Sequence, residues 1–197
     1  MISKRPPPPA GQRPGRKRSP ESRAAILSAA VALFREVGYA QLTVEGIAAR
    51  AGVGKQTIYR WWPTRTDVLL EALADDADLE ISVADHGSYA ADLRAFLADT
   101  YRLAETQYIR DVLGALMAQA QLDAEFGARF RSGFLERRRA ALRSVVDRAA
   151  MRGDLPRRPA PNVVLDLVFG TLWYRVLATQ EPFDDGLVED LLALLAP

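Results

Sequence analysis

An all-α protein is what the 197 residues predict, with a small N-terminal three-helix unit joined by a long helix to a larger C-terminal helical domain. Three observations carry that reading. Apolar residues recur at helical spacing along most of the chain. Ser, Thr, Gly and Pro stand where helices must start and stop. No convincing period-two alternation and no internal repeat interrupts the pattern.

Residues 1–18 are read as a disordered basic arm, because Pro6 to Pro9, scattered glycines and six cations (Lys4, Arg5, Arg13, Arg16, Lys17, Arg18) occur there without an acidic residue. Such an arm either follows nucleic-acid phosphates, with Arg16, Lys17 and Arg18 nearest the folded part, or is a solubilising tail. Order is expected from Ser19, an N-cap followed by Pro20 at the first helical position and Glu21 in the first turn. Ile26, Ala30, Leu33, Phe34 and Val37 continue the helix until Gly38 ends it. Thr43 caps a short second helix, "VEGIAARA"; Gly52 reverses the chain and Val53 plugs the turn. A third helix, from Lys55 to Trp62, puts Ile58 and Trp62 on one inward face before Pro63 breaks it. Thr64 and Asp67, spaced as a capping box, start a long helix to about Val83. Further helices are predicted over Tyr89 to Gln107, Arg110 to Gln121, Asp123 to Met151, Asn162 to Thr179 and Gly186 to Leu195. The resulting organisation is a 1–18 arm, a 19–66 helix-turn-helix unit and a 67–197 helical domain.

Composition removes several chemistries. With no cysteine, disulfides, thiolate metal sites and cysteine nucleophiles are excluded, and His86, the single histidine, lies in a predicted exposed loop. No metal, cofactor or catalytic residue is therefore expected, and a small helical enzyme would have only generic carboxylates to work with. The polar, proline-rich start predicts no secretory signal, and "NVVLDLVFGTLWYRVLA", carrying Asp166 and Arg175, falls short of a membrane span. A cytoplasmic protein follows. The net charge of +1 conceals a division: residues 1–67 carry +8 and residues 68–197 carry −7. Either the first part meets a polyanion or the surface charge is uneven by chance.

The stretch "GVGKQTIYRWW" decides between two readings of that basic part. A phosphate-binding loop of the form G-x-x-x-x-G-K-[ST] would need a glycine at Ala49, a hydroxyl at Gln56 and a preceding strand, and none is present. A helix-turn-helix accounts for each position: helices cross at Ala48 and Ala51, Gly52 turns, and the third helix projects outward. Lys55, Gln56 and Arg60 then have the chemistry to read base edges. Thr43, Thr57, Tyr59 and Arg65 have the chemistry to hold phosphates.

The run "LTVEGIAARAGVGKQTIYRWWPTRTDVLLEAL" resembles the DNA-binding module of the TetR (AcrR-like) transcriptional regulators, over about residues 22 to 73. "FGTLWYRVLATQEPFDD" is similar to the penultimate helix and following turn of many of these regulators. The resemblance implies a homodimeric repressor on a double-stranded DNA operator, with Tyr59 contacting a phosphate. Two positions depart from the pattern. Trp61 stands where a histidine is usual, either packing or lying on the sugar-phosphate backbone, and Gly54 replaces a common capping hydroxyl.

A helix apolar nearly all round, "VVLDLVFGTLWYRVLA", and the leucine stripe of "LVEDLLALL" suit either an intrachain core or a four-helix dimer interface; the resemblance implies the dimer. It also implies a small-molecule effector in an apolar cavity among the middle helices. Candidate lining residues are Phe96, Tyr101, Leu113, Met117, Phe130, Phe134, Phe169 and Trp173, all equally placed to be ordinary core. A constitutive regulator with a filled interior is the alternative.

Overall fold

Why the first helices form where they do is visible in their ends. In the computed structural model, which describes residues 19–196 (without the side chains of residues 76–80), α1 spans Pro20–Gln41. Its cap is Ser19, whose Oγ accepts from the Ser22 N–H. Gly38 leaves helical geometry, at φ 71°, and one further turn reaches Gln41 before buried Leu42. The arm residues Arg16, Lys17 and Arg18 lie outside the described residues.

Helix α2 (Val44–Arg50) is capped by Thr43, whose Oγ1 accepts from the Gly46 N–H at 3.0 Å. A methyl group on Gly46 would come within 2.8 Å of the Leu33 side chain, so the absence of a side chain there lets α2 approach α1 closely. That contact is a tight point between the first two helices. Gly52 adopts φ 65°, the left-handed geometry that the expected reversal needs, and Val53 N–H returns to the Ala48 carbonyl.

Helix α3 is Lys55–Tyr59, shorter than the expected run to Trp62. Trp61 and Trp62 both donate their N–H to the Ile58 carbonyl, and Pro63 prevents the chain from continuing. Helix α4 (Arg65–Glu80) starts in the predicted capping box, with Thr64 and Asp67 bonded reciprocally, and stops three residues before Val83. The remaining helices are α5 (Tyr89–Glu105), α6 (Gln107–Leu122), α7 (Ala124–Phe130), α8 (Glu136–Arg152), α9 (Pro161–Tyr174) and α10 (Asp185–Leu195). The single helix expected over Asp123 to Met151 is interrupted at Arg131–Leu135 by a π-helical turn, and a second such turn, Arg175–Thr179, extends α9. Gln107 belongs to α6 rather than to the end of α5, because the chain breaks at Thr106.

Helices α1, α2 and α3 enclose Ile26, Phe34, Ile47, Ile58 and Trp62. Helix α4 packs on α1 on one side and α6 on the other, so one rod belongs to both cores. In the larger core, α5 lies between α8 and α10, and α6 packs on α7. Among the described residues no helix is long and apolar enough to cross a membrane.

The connection between α4 and α5 is fastened from within. Asp92, its side chain fully buried, accepts from the His86 N–H at 2.6 Å, from Arg152 at 2.9 Å and from Arg148 at 3.1 Å. Arg148 also donates to the Val83 and Ala84 carbonyls, while His86 itself is exposed. Burial pushes the Asp92 carboxyl up, but the His86 N–H, Arg152 and Arg148 together outweigh it, leaving the group below the ordinary carboxylate range. A depressed folded pKa means that the unfolded chain takes the proton first. The stability from this carboxylate is therefore complete above the ordinary pKa of about 4 and is lost as pH falls through the lower folded value. Asp92→Asn is expected to destabilise the protein at neutral pH and to flatten the acid limb of stability against pH; urea unfolding at a series of pH values measures both, and an unchanged acid limb would contradict the assignment.

Candidate nucleic-acid interface

Helix α3 divides its residues by face. Ile58 is wholly buried and Trp62 nearly so, while Lys55, Gln56, Tyr59 and Arg60 are exposed and Thr57 is half-buried. Thr43, at the head of α2, is also exposed. A five-residue helix has little intrinsic stability. Its position depends instead on Trp62, whose indole N–H donates to Glu71 of α4, and on Ile58 beneath it. Glu71 also receives Arg23 of α1, so one carboxylate holds the end of the α3 segment to the first and fourth helices. Gly54 serves as N-cap without a side-chain bond, as its lack of a hydroxyl requires.

Lys55 points toward α2 and pairs with Glu45 at 2.9 Å. That hydrogen bond holds the Lys55 ammonium above its ordinary pKa, so it remains a cation at any relevant pH. Both groups are more than half exposed, and exposed pairs of this kind exchange readily for another anion. Trp61 stacks on Trp62 with ring centroids 5.8 Å apart and, half-buried, walls a hollow with Ser19, Gly52, Thr57 and Arg60. Its packing role is thereby evident.

Arg65 departs from the expectation of an outward phosphate contact. Its guanidinium donates to the Leu42 carbonyl and lies 4.7 Å over the Tyr39 ring, so it closes the base of the unit. Tyr39 continues the chain of contacts: its hydroxyl is 2.8 Å from Thr66 Oγ1 and donates to Gln119 of α6 at 3.2 Å. Sequence periodicity carried no sign of this, because cation-on-ring contacts between distant residues leave no spacing to read.

In the larger domain a cavity of about 340 Å³ lies among α4, α5, α6, α8 and α9. Of the candidate residues, Leu113, Phe134, Phe169 and Trp173 line it; Phe96, Tyr101, Met117 and Phe130 do not. Phe96 meets Phe169 edge-on, and Tyr101 donates to the Val168 carbonyl and packs on Phe183. Phe130 stacks between Phe126 and Phe134 with its edge toward Trp173. Met117 packs half-buried against the core. These four side chains are spent on neighbours that helical spacing could not identify. The lining missed from sequence includes Thr100, Arg138, Arg139 and Asp166, polar residues that a search for aromatic stripes passes over.

The last two helices differ in what they leave open. On α9 and its π-helical extension, Val163, Leu167, Gly170, Tyr174 and Leu177 are exposed at alternating spacings of four and three, one continuous stripe. Helix α10 turns Val188, Leu191, Leu192 and Leu195 inward, leaving Leu194 outside.

The different settings of Arg65 and Tyr59 yield a stability test. Arg65→Ala is expected to cost about 1 kcal/mol by stranding the Leu42 carbonyl, whereas Tyr59→Phe and Gln56→Ala should stay within about 0.5 kcal/mol of the parent. Urea denaturation measures all three, and a neutral Arg65→Ala would show that its inward contacts do not hold the unit.

Comparisons with known proteins agree with this geometry. Residues 26–72 match the model "Bacterial regulatory proteins, tetR family", and residues 83–195 match "Tetracyclin repressor-like, C-terminal domain". The chain is 32% identical over 181 residues to the HTH-type transcriptional regulator YdeS of Bacillus subtilis, covering 90% of this chain and 89% of YdeS. The solved TetR family transcription regulator SCO0332 superposes with a TM-score of 0.74 at 30% identity, covering 90% of this chain and all of that one. AibR, solved in complex with isovaleryl coenzyme A and operator DNA, shares the fold at a TM-score of 0.60 and 22% identity, over 89% of this chain and 98% of its own. With one model spanning its C-terminal domain and another its helix-turn-helix, this chain belongs to the TetR family of transcriptional regulators.

Proposed function

We propose that the protein is a homodimeric repressor that occupies a two-fold operator and leaves it when a small, largely apolar effector enters the cavity. The observation that carries this reading is the division of the α3 segment: Ile58 and Trp62 are committed to the core, and the exposed Lys55, Gln56, Tyr59 and Arg60 form one polar face. A short recognition helix covers few base pairs, so two copies related by symmetry are needed for a usable site. The exposed stripe on α9 supplies the surface for pairing, since a 4-3 array of apolar residues packs against its symmetry mate as in a helical bundle.

In the bound state Gln56 and Arg60 read base edges, and Lys55 exchanges Glu45 for the groove. Thr43, Thr57 and Tyr59 set the register on phosphates, joined by Arg16, Lys17 and Arg18 of the preceding segment. Arg65 contributes through the shape of the unit and its charge. AibR, which carries both an acyl-coenzyme A and operator DNA, supports the effector half of the reading by analogy.

Selection of bound sequences from random DNA is the primary test, and a palindrome with half-sites about one helical turn apart, or a multiple of it, is the expected outcome. Gln56→Ala should then weaken the selected site by about 1 to 3 kcal/mol while leaving random DNA nearly unaffected. Equal losses on both would remove Gln56 from the reading set. Leu167→Glu, placed in the middle of the α9 stripe, should shift the protein to monomer in sedimentation and abolish operator binding; a dimer that survives it would move the interface elsewhere. Screening small apolar compounds for operator release tests the effector half, and a regulator indifferent to all of them while its cavity remains empty would be constitutive.

A further inference from the structure

The cavity and the apolar stripe share helix α9, and the place where they meet is open. On α9 the cavity is lined by Asp166, Phe169, Gly170, Leu172 and Trp173, while the exposed stripe runs through Val163, Leu167, Gly170, Tyr174 and Leu177. Gly170 belongs to both sets. Leu167 and Tyr174 stand three residues before it and four after; Asp166 and Trp173 stand four before and three after. Residues at these spacings are surface neighbours on a helix, so the stripe and the lining are adjacent faces joined at Gly170. Gly170 is exposed, and beside it Asp166 and Arg139, which pair at 2.9 Å on the cavity's edge, keep side-chain exposures of 66% and 40%. Among the described residues nothing beyond its own helix comes within 4 Å of a methyl group placed on Gly170. Glycine weakens a helix relative to alanine, and packing inside one chain does not call for it here.

We infer that a second copy of the chain completes the cavity: the partner's α9 crosses at Gly170 and covers the opening, so that α9 is a cavity wall and a pairing surface at once. The inference rests on the dimer reading above. A second copy is the occupant that the stripe fits, because its five residues carry no charge and a two-fold contact needs a surface complementary to itself. A residue without a side chain in the middle of that stripe lets another backbone come close. The Arg139–Asp166 pair then lies at the rim of the interface, where polar groups stay hydrated. With one wall supplied by the partner, filling the cavity and pairing the subunits affect each other by the same factor. A molecule in the cavity thus acts on the spacing of the two DNA-binding units through α9 as well as through α4.

The chain has no cysteine, so a single introduced thiol reports its own position. Leu135→Cys, half-buried in the cavity wall outside α9, and Asp166→Cys, at the edge of the opening, are each treated with a maleimide on the full-length protein, with and without Leu167→Glu. Sedimentation of the same samples gives their state of association. Both thiols are expected to react about tenfold more slowly in the dimer than in the Leu167→Glu monomer. Leu122→Cys, at the end of α6 and 83% exposed, should react alike in both. Using two cavity positions keeps the test intact if one variant fails to fold. Gly170→Ala should leave the single chain folded and raise the dimer dissociation constant about tenfold, because the added methyl group meets the partner. Thiols that react equally in dimer and monomer, or a Gly170→Ala dimer as tight as the parent, overturn the shared wall and leave the dimer itself in place. A chain that sediments as a monomer throughout, or a dimer that persists with Leu167→Glu, overturns the α9 pairing and the shared wall with it.

Discussion

One carboxylate, that of Asp67, ties the DNA-facing unit to the rest of the molecule. Its Oδ2 accepts from the Thr64 N–H at 3.1 Å and so closes the N-terminus of α4, two residues beyond Trp62. Its Oδ1 receives Arg129 of α7 at 2.8 Å, with the Asp67 side chain only 7% exposed. Removing either partner would leave an anion with too few donors in a nearly dry place, a costly state for a small protein. The start of α4, the end of the α3 segment and the position of α7 are therefore set together.

Around that point the junction between the two parts of the core carries directional polar contacts beside its apolar ones. Tyr39 links Arg65 and Thr66 to Gln119, and Arg35 lies 4.4 Å over the Tyr108 ring. Hydrogen bonds and ring contacts have defined geometries, so they restrict how the apolar surfaces beside them can shift. Helix α4 carries both ends of the path. Glu71 anchors Trp62 of the DNA-facing segment, and Leu73, two residues on, lines the cavity. A molecule that displaces α4 at Leu73 must also displace the anchor of Trp62, because both belong to one rigid helix. Differential fit of a ligand to two positions of that helix is the physical requirement for it to shift DNA affinity.

The cavity itself depends on departures from regular helix. The π-helical turn at Arg131–Leu135 offsets α7 from α8, and Phe134 and Leu135, which lie in it, face the open space while Phe126 and Phe130 are stacked behind. Such turns are invisible to periodicity, since one extra residue in a turn changes the phase of the pattern without changing its apolar content. The expectation of one uninterrupted helix across this region failed there, and Phe130, just before the turn, faces its stacked neighbours rather than the opening.

The local elements were legible in the sequence because their causes are local. Ser19, Thr43 and the Thr64–Asp67 box cap their own helices, Gly52 turns at its own position, and Ile58 and Trp62 are inward because Lys55, Gln56 and Arg60 must then be outward. The division of charge between the first third and the remainder was readable for the same reason, being a sum over residues. Tertiary structure alone decided what depends on distant neighbours. It turned Arg65 inward onto Leu42 and Tyr39, spent the α10 leucines within the chain while leaving the α9 stripe open, and set Thr100 and the Arg139–Asp166 pair at the cavity. Helical spacing says which face of a helix is apolar; only the packing of several helices says which part of that face meets another chain segment, an opening or solvent.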